Sequence, residues 1–259
     1  MIKLKYSYKT RITFSENVSR HHFQLRCTPA VSAYQQIVEE TCTILPESVI
    51  CMDKDNFGNT IRDGYIDGYH NYFEFESTGV VALGHYSLCE PLNRLFLYPS
   101  HYTQPMEYLK ELSQQIHFPA EATILEKVVL ISSALQKHLK YVPGTTTVST
   151  TAEQALVQGT GVCQDFAHIM IALCRMKGIP ARYANGFMQG EGATHAWIEY
   201  YDGDSWFGFD PTHDRKVETG YVIVAQGRDY ADCAIDKGVF SGLAQQKLEV
   251  FLKVELVEQ

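Results

Sequence analysis

Residues 161–187 read GVCQDFAHIMIALCRMKGIPARYANGF, and the reading of this stretch decides the fold. A helix is expected to start near Cys163 and run to about Met176. Gly178 can adopt the left-handed conformation that closes a helix, and Pro180 cannot continue one. Arg182-Tyr183-Ala184 then reads as strand. The helix start carries a cysteine, and that placement has chemical weight. The first turn of a helix leaves backbone N–H groups unpaired and bears a partial positive charge. Both favour thiolate over thiol, and the thiolate is the nucleophile. The same N–H groups can hold the oxyanion of a tetrahedral intermediate. Taken alone, Cys163 reads as well as a buried small apolar residue, so the partners within its reach decide the matter.

Two segments downstream supply partners. Thr194-His195-Ala196-Trp197-Ile198-Glu199-Tyr200-Tyr201 reads as a strand with His195 and Trp197 on one face, Ala196 and Ile198 on the other. Trp206-Phe207-Gly208-Phe209-Asp210-Pro211-Thr212 is a second strand, ending in an acid before a proline. Asp202-Gly203-Asp204 makes the turn between them. Two adjacent antiparallel strands can set a histidine beside an aspartate. A carboxylate at the histidine Nδ1 would fix tautomer and orientation. Cys163, His195 and Asp210 are therefore the candidate nucleophile, base and orienting acid.

The remaining polar residues near this frame read as supporting. Asp165, two residues past Cys163, stabilises the helix N-terminus. His168, roughly a turn and a half on, packs in the core. Cys174 near the far end of the helix is structural. Arg228-Asp229-Tyr230 is a polar cluster bordering the cleft. The Cys163 N–H is the natural first oxyanion donor, with Tyr141 and Gln158 as candidates for a second. Cys163, His168 and His195 could be taken for metal ligands, but neither an HExxH nor a paired-cysteine spacing occurs, so no metal is expected.

Upstream, two helices are expected over Glu107–Ile116 and Ala122–Leu139, separated by Pro119. Ile124, Val128, Ile131 and Leu135 mark a buried helical face. A Thr-rich stretch, residues 145–151, reads as an ordered loop or strand feeding a short helix over Ala152–Gln158, with Thr151 as N-cap. Residues 1 to about 90 read as short strands punctuated by turns. Lys3 to Lys9 alternates polar and apolar residues, and Asp55-Asn56-Phe57-Gly58-Asn59 reads as a hairpin or tight loop. Tyr221–Ala225 and Leu248–Val257 are further strands.

Composition narrows the function. The chain has 259 residues, enough for one large domain or two small ones. Its 12% aromatic content leans towards β-structure. A formal net charge of -8, without any Lys/Arg-rich run, argues against a nucleic-acid partner. The first twenty residues are charged throughout, so no secretory signal is expected. No run of apolar residues is long enough to span a membrane. Seven cysteines without a CxxC spacing suit reduced thiols in the cytoplasm.

Together these segments resemble the transglutaminase-like superfamily of Cys–His–Asp enzymes. GVCQDFAHIMIALCRMKGIPARYANGF is similar to that family's nucleophile helix and following strand, THAWIEYY to its histidine strand, and WFGFDPT to its aspartate strand. LRCTPA (25–30), DNFGN (55–59) and GRDYADCAIDKGVFSG (227–242) resemble a bacterial subgroup with its own N-terminal β domain. The resemblance implies an α+β fold: an N-terminal antiparallel β-sandwich over residues 1–100, then a papain-like, transglutaminase-like catalytic core over 101–259, its nucleophile helix packed on an antiparallel sheet. It implies Cys163, His195 and Asp210 as the triad, a peptide or amide substrate, and hydrolysis through an acyl-thioester. Transamidation to an amine would use the same triad, and a non-catalytic peptide-binding protein would use the same fold. Nothing resembles a calcium loop, so no cofactor is expected. The subgroup most often has Asn after Asp-Pro-Thr; here His213 stands there and is read as a loop residue.

Overall fold

The computed structural model describes residues 1–257. The last two positions of the segment 101–259 lie outside the described residues. The chain opens with β1 (Ile2–Leu25), β2 (Gln35–Leu45), β3 (Val49–Lys54), β4 (Thr60–Ile66) and β5 (His70–Leu83). Helices α1 (Glu107–Gln115) and α2 (Ile124–Gln136) follow, then β6 (Lys140–Tyr141), α3 (Ala152–Gln158), β7 (Thr160–Gly161) and α4 (Cys163–Met176). The chain continues through β8 (Ala181–Met188), β9 (Gly190–Gly192), β10 (His195–Tyr201), β11 (Trp206–Asp210), β12 (Arg215–Lys216) and β13 (Tyr221–Gly227). It closes with α5 (Tyr230–Cys233), β14 (Asp236–Ser241) and β15 (Gln246–Leu256).

The expectation of short N-terminal strands is corrected by β1, which is one strand of 24 residues. Leu4, Tyr6, Tyr8, Thr10, Ile12 and Phe14 are all buried, so the alternation seen at the start of the chain runs much further. The exposed Ser15-Glu16-Asn17 break is absorbed by a register shift against β5 between Thr13 and Val18. The first half of β1 pairs with β5 and β15, its second half with β4 and β14. The result is one curled, hydrogen-bonded antiparallel sheet of eight strands, with the order β2-β5-β1-β15-β9 along its main path. The sequence reading placed 236–241 and 246–256 with the C-terminal segment; both pair with β1 in this first sheet.

The second sheet runs β12-β11-β10-β8-β13, all antiparallel. α4 packs against β10 and β8, and α1, α2 and α3 pack around α4. Every residue from Gln164 to Arg175 is buried, so α4 is a central helix and has no solvent stripe. Caps set the helix boundaries. Thr123 with Glu126 and Thr151 with Gln154 form capping boxes, which start α2 two residues later than expected and α3 where expected. Gly159 closes α3 with φ 71°. Two apolar cores result: one lies between the sheets and includes Tyr6, Phe73, Phe187, Trp197 and Trp206; the other surrounds α4.

Gly186 sits where β8 meets both neighbours, opposite His195 on one side and Ile223 on the other. A Cβ there would lie 1.9 Å from the Val222 carbonyl oxygen, a backbone atom that cannot swing away. Gly186→Ala should therefore cost about 1–3 kcal/mol and lower the urea midpoint at unchanged slope. An unaltered midpoint would show that β13 yields freely.

Candidate active site

Cys163 is the first residue of α4, after an extended Val162. The start of this helix is held by Asp165. Its Oδ2 accepts from the Val162 N–H at 2.8 Å and from Thr146 Oγ1 at 2.7 Å, tying the Thr-rich loop to the helix. Gly161 has to lack a side chain, since a Cβ would fall 2.7 Å from the Asp165 Cβ. Burial raises the Asp165 carboxyl above its ordinary value, against the hydrogen bonds that lower it. The loop itself is neither helix nor strand. It is further tethered by Gln158, whose amide donates to the Thr145 carbonyl and the Thr160 hydroxyl, and by Gln164, which donates to the Val148 carbonyl. Gln158 is thereby committed to the loop. Tyr141 has a different setting: β6 pairs in parallel with β7, Tyr141 opposite Gly161, and this places the phenol in the same cavity as Cys163.

His195 opens β10 and Asp210 ends β11. The imidazole meets the carboxylate through Nε2, at 2.8 Å from Oδ2. The sequence reading had Nδ1 facing the acid; the ring is the other way round, which leaves Nδ1 for Cys163. Because a carboxylate only accepts, Nε2 is the protonated nitrogen. Burial alone would lower the His195 pKa. The hydrogen bond to Asp210 and that carboxylate's negative charge, with a contribution from Cys163, reverse this and raise it to about 9. Trp197 lies two residues on and on the same face, its ring near-parallel to His195 with centroids 6.4 Å apart.

Asp210 is fully buried and collects five donors. Oδ2 accepts from His195, from His213 Nδ1 at 2.7 Å and from Tyr221 Oη at 2.7 Å. Oδ1 accepts from the Thr212 and His213 backbone N–H groups. Burial pushes this carboxyl up, but the hydrogen bonds and the His195 charge win, and it lies well below the usual carboxylate range. Arg215 stands behind, donating to Tyr221 Oη from Nε and Nη2. His213 is thus more than the loop residue expected from its context, since it shares the carboxylate with His195. Tyr221 and Arg215 had no signal in the sequence beyond strand-forming character, because their role comes from strands that meet only in the folded sheet. His195, Asp210 and His213 have ligand atoms close enough to share an ion. As arranged, both imidazoles spend the nitrogen facing Asp210 on the same oxygen.

The cavity over these residues measures about 490 Å³ and is lined by Cys163, His195, His213, Tyr141, Gln189 and Glu191, among others. Two further sequence candidates lie elsewhere. His168 is buried inside the core, with Nε2 accepting from the Tyr230 N–H, and burial pushes it down to about 3. Arg228-Asp229-Tyr230 does not line this cavity: Arg228 pairs with Asp232, and Asp229 caps α5. Cys174 is buried as expected, and burial raises it to about 12.

Two family models match the chain. The one described as transglutaminase-like superfamily covers residues 110–211, and the one described as bacterial transglutaminase-like N-terminal region covers 4–82. An uncharacterized protein of Mycobacterium leprae is 36% identical, over 98% of this chain and 99% of its own length. An uncharacterized protein of Mycobacterium tuberculosis is 26% identical, over 92% of this chain and 87% of its own. A Cytophaga hutchinsonii crystal structure, described as a "putative cysteine protease", superposes with a TM-score of 0.81 at 26% identity, over 100% of this chain and 91% of that one.

The raised His195 pKa has a consequence for stability. Its ordinary value is 6.5 and its folded value about 9, so the native state holds the proton more tightly than the unfolded chain. The stability it contributes is fully present below pH 6.5 and is lost as pH rises through about 9. The unfolding free energy should decline across that window, and the decline should be shallower in His195→Gln. Parallel declines in the two proteins would contradict the pairing.

Proposed function

Because the chain belongs to the transglutaminase-like superfamily, we propose that it is a cysteine-dependent hydrolase of amide or peptide bonds, working through an acyl-thioester. The observation that carries the proposal is the His195–Asp210 hydrogen bond of 2.8 Å in the wall of the cavity that holds Cys163 at a helix start. In this reading His195 is charged at neutral pH, Cys163 lines the same cavity, and the thiolate form of its sulfur is the nucleophile. Sγ attacks the substrate carbonyl, and the carbonyl π electrons move onto oxygen. The Cys163 N–H, first in its helix, is one donor to that oxyanion, and the Tyr141 hydroxyl, facing the same cavity, is the second. The C–N bond then breaks as His195 Nδ1 delivers its proton to the leaving amine. Water enters, gives a proton to Nδ1 and attacks the thioester; the tetrahedral adduct expels Cys163 as thiolate. Asp210 keeps Nε2 protonated and the ring in place throughout.

The substrate partner is accordingly a peptide or amide small enough to reach Cys163. Nucleic acid and membrane partners have no support in a chain of net charge -8. Among the described residues no helix is long and apolar enough to cross a membrane. Seven free thiols suit a reducing compartment, and we place the protein in the cytoplasm.

Cys163→Ala should abolish turnover of an amide library while leaving the melting temperature near that of the parent. Iodoacetamide should label Cys163 faster than the other six thiols at neutral pH; equal slow labelling of all seven would refute the nucleophile. Incorporation of a labelled primary amine into a glutamine donor would move the assignment to transamidation. Tyr141→Phe should lower kcat by roughly 10²-fold with little change in KM; an unchanged kcat would remove Tyr141 from the oxyanion site. As pH rises through about 9, His195 loses the proton it must deliver, so kcat/KM should fall on that limb. A rate still climbing above pH 10 would rule out His195 as that proton donor.

A further inference from the structure

We propose that Cys27 and Cys42 form a peroxide-oxidisable dithiol, a modification site in the first sheet distinct from the cavity at Cys163. Cys27 follows the end of β1 and is fully buried, while Cys42 on β2 is half-buried. Their sulfurs are 3.7 Å apart and hydrogen-bonded. Among the described residues no other pair of cysteine sulfurs is in such contact. A disulfide would bring the two sulfurs to ~2.05 Å.

The surroundings hold the pair in register. Arg62 of β4 donates to Thr28, the neighbour of Cys27, and to Glu40, two residues before Cys42 on the same side of β2; Thr28 also donates to Glu40. The guanidinium thus clamps together the two segments that carry the thiols. The two sulfurs are also unequal: Cys42 is half-buried and Cys27 wholly buried, so a peroxide reaches Cys42 first. Cys42 is the attacking sulfur and Cys27 the resolving one.

The reaction balances with hydrogen peroxide as the two-electron oxidant. The Cys42 thiolate attacks one peroxide oxygen; an S–O bond forms, the O–O bond breaks, and the departing hydroxide becomes water on taking a proton. Cys27 then attacks the Cys42 sulfenic acid. The S–S bond forms, the S–O bond breaks, and the released hydroxide takes the Cys27 proton. Two thiols and one peroxide give one disulfide and two waters.

The bond would matter because the segment after Cys27 reaches the second sheet. The strap from Thr28 to Gln35 holds β13: the Ala30 N–H and the Gln35 amide both donate to the Ile223 carbonyl, and Tyr34 Oη donates to the Tyr221 carbonyl. Tyr221 in turn donates to Asp210. Oxidation ties to β2 the strap that seats this strand.

The test is a peptide map of the folded, full-length protein, read by mass and independent of any enzyme assay. Wild type and Cys163→Ala are treated with hydrogen peroxide, their remaining thiols are alkylated, and they are digested without reduction. A Cys27–Cys42 cross-linked peptide, released by dithiothreitol and absent from Cys42→Ser, is the expected result. In Cys27→Ser, dimedone should trap a sulfenic acid at Cys42. If Cys27 and Cys42 are recovered alkylated while the exposed Cys51 and Cys89 are oxidised, the proposal fails.

Discussion

Asp210 carries a carboxylate that is wholly withdrawn from solvent, and five donors converge on its two oxygens. Burying an ionised carboxylate costs several kcal/mol even after the surroundings relax. The fold must therefore deliver compensating groups, and it does so from separate pieces of chain. His195 comes from the start of β10, Tyr221 from the start of β13, and His213 from the turn after β11. In an antiparallel sheet the starts of β10, β12 and β13 lie at the same end as the finishes of β8 and β11. The pairings His195 with Gly186, Asp210 with Arg215 and Tyr221 with Met188 put all five at one edge. That edge faces the N-terminus of α4, so the acid, the imidazole and the thiol are brought together by strand register.

The first sheet braces this arrangement from outside. The loop between β8 and β10 rises to pair, as β9, with β15 of the first sheet, so the residues just before His195 are anchored by the last strand described. Across the shared core, the hydroxyl of Tyr34 and the amide of Gln35 hold β13. Behind Trp197, Glu199 is fully buried against Arg182, Tyr86 and Gln226. Breaking such a buried pair by removing one partner typically costs about 3–5 kcal/mol. The pair joins the register partners Arg182 of β8 and Glu199 of β10. Arg175 does similar work for α4. Burial lowers its pKa to about 10, with the Asp229 charge opposing, and its guanidinium donates to the Phe96, Ala181 and Arg228 carbonyls and the Thr103 hydroxyl.

Local signals were readable wherever local physics decides. The α4 start at Cys163, the Thr151 cap, the Gly159 stop and the His195 and Asp210 strands all follow from capping, breaker and alternation rules that act within a few residues. The readings that shifted depended on distant partners. Lys3–Lys9 read as one short strand among several, but pairing with β5 and β15 carries β1 to Phe14, and pairing with β4 and β14 resumes beyond residues 15–17, where the pattern fails. His213 read as a loop residue, because nothing adjacent shows that its Nδ1 points back to Asp210. Arg228–Tyr230 read as a cleft border, yet the α5 turn folds it against Asp232 and His168.

What the amino-acid sequence determined by itself was the set of elements, the chain order of Cys163, His195 and Asp210, and the family resemblance those motifs carry. Each depends on spacing along the chain, which a sequence contains. The tertiary structure alone decided that His195 meets Asp210 through Nε2, that Tyr221, Arg215 and His213 join the carboxylate, and that the C-terminal strands close the N-terminal sheet. Those facts depend on which strands become neighbours and in what register. Burial of one shared core settles that, and no short window of residues encodes it.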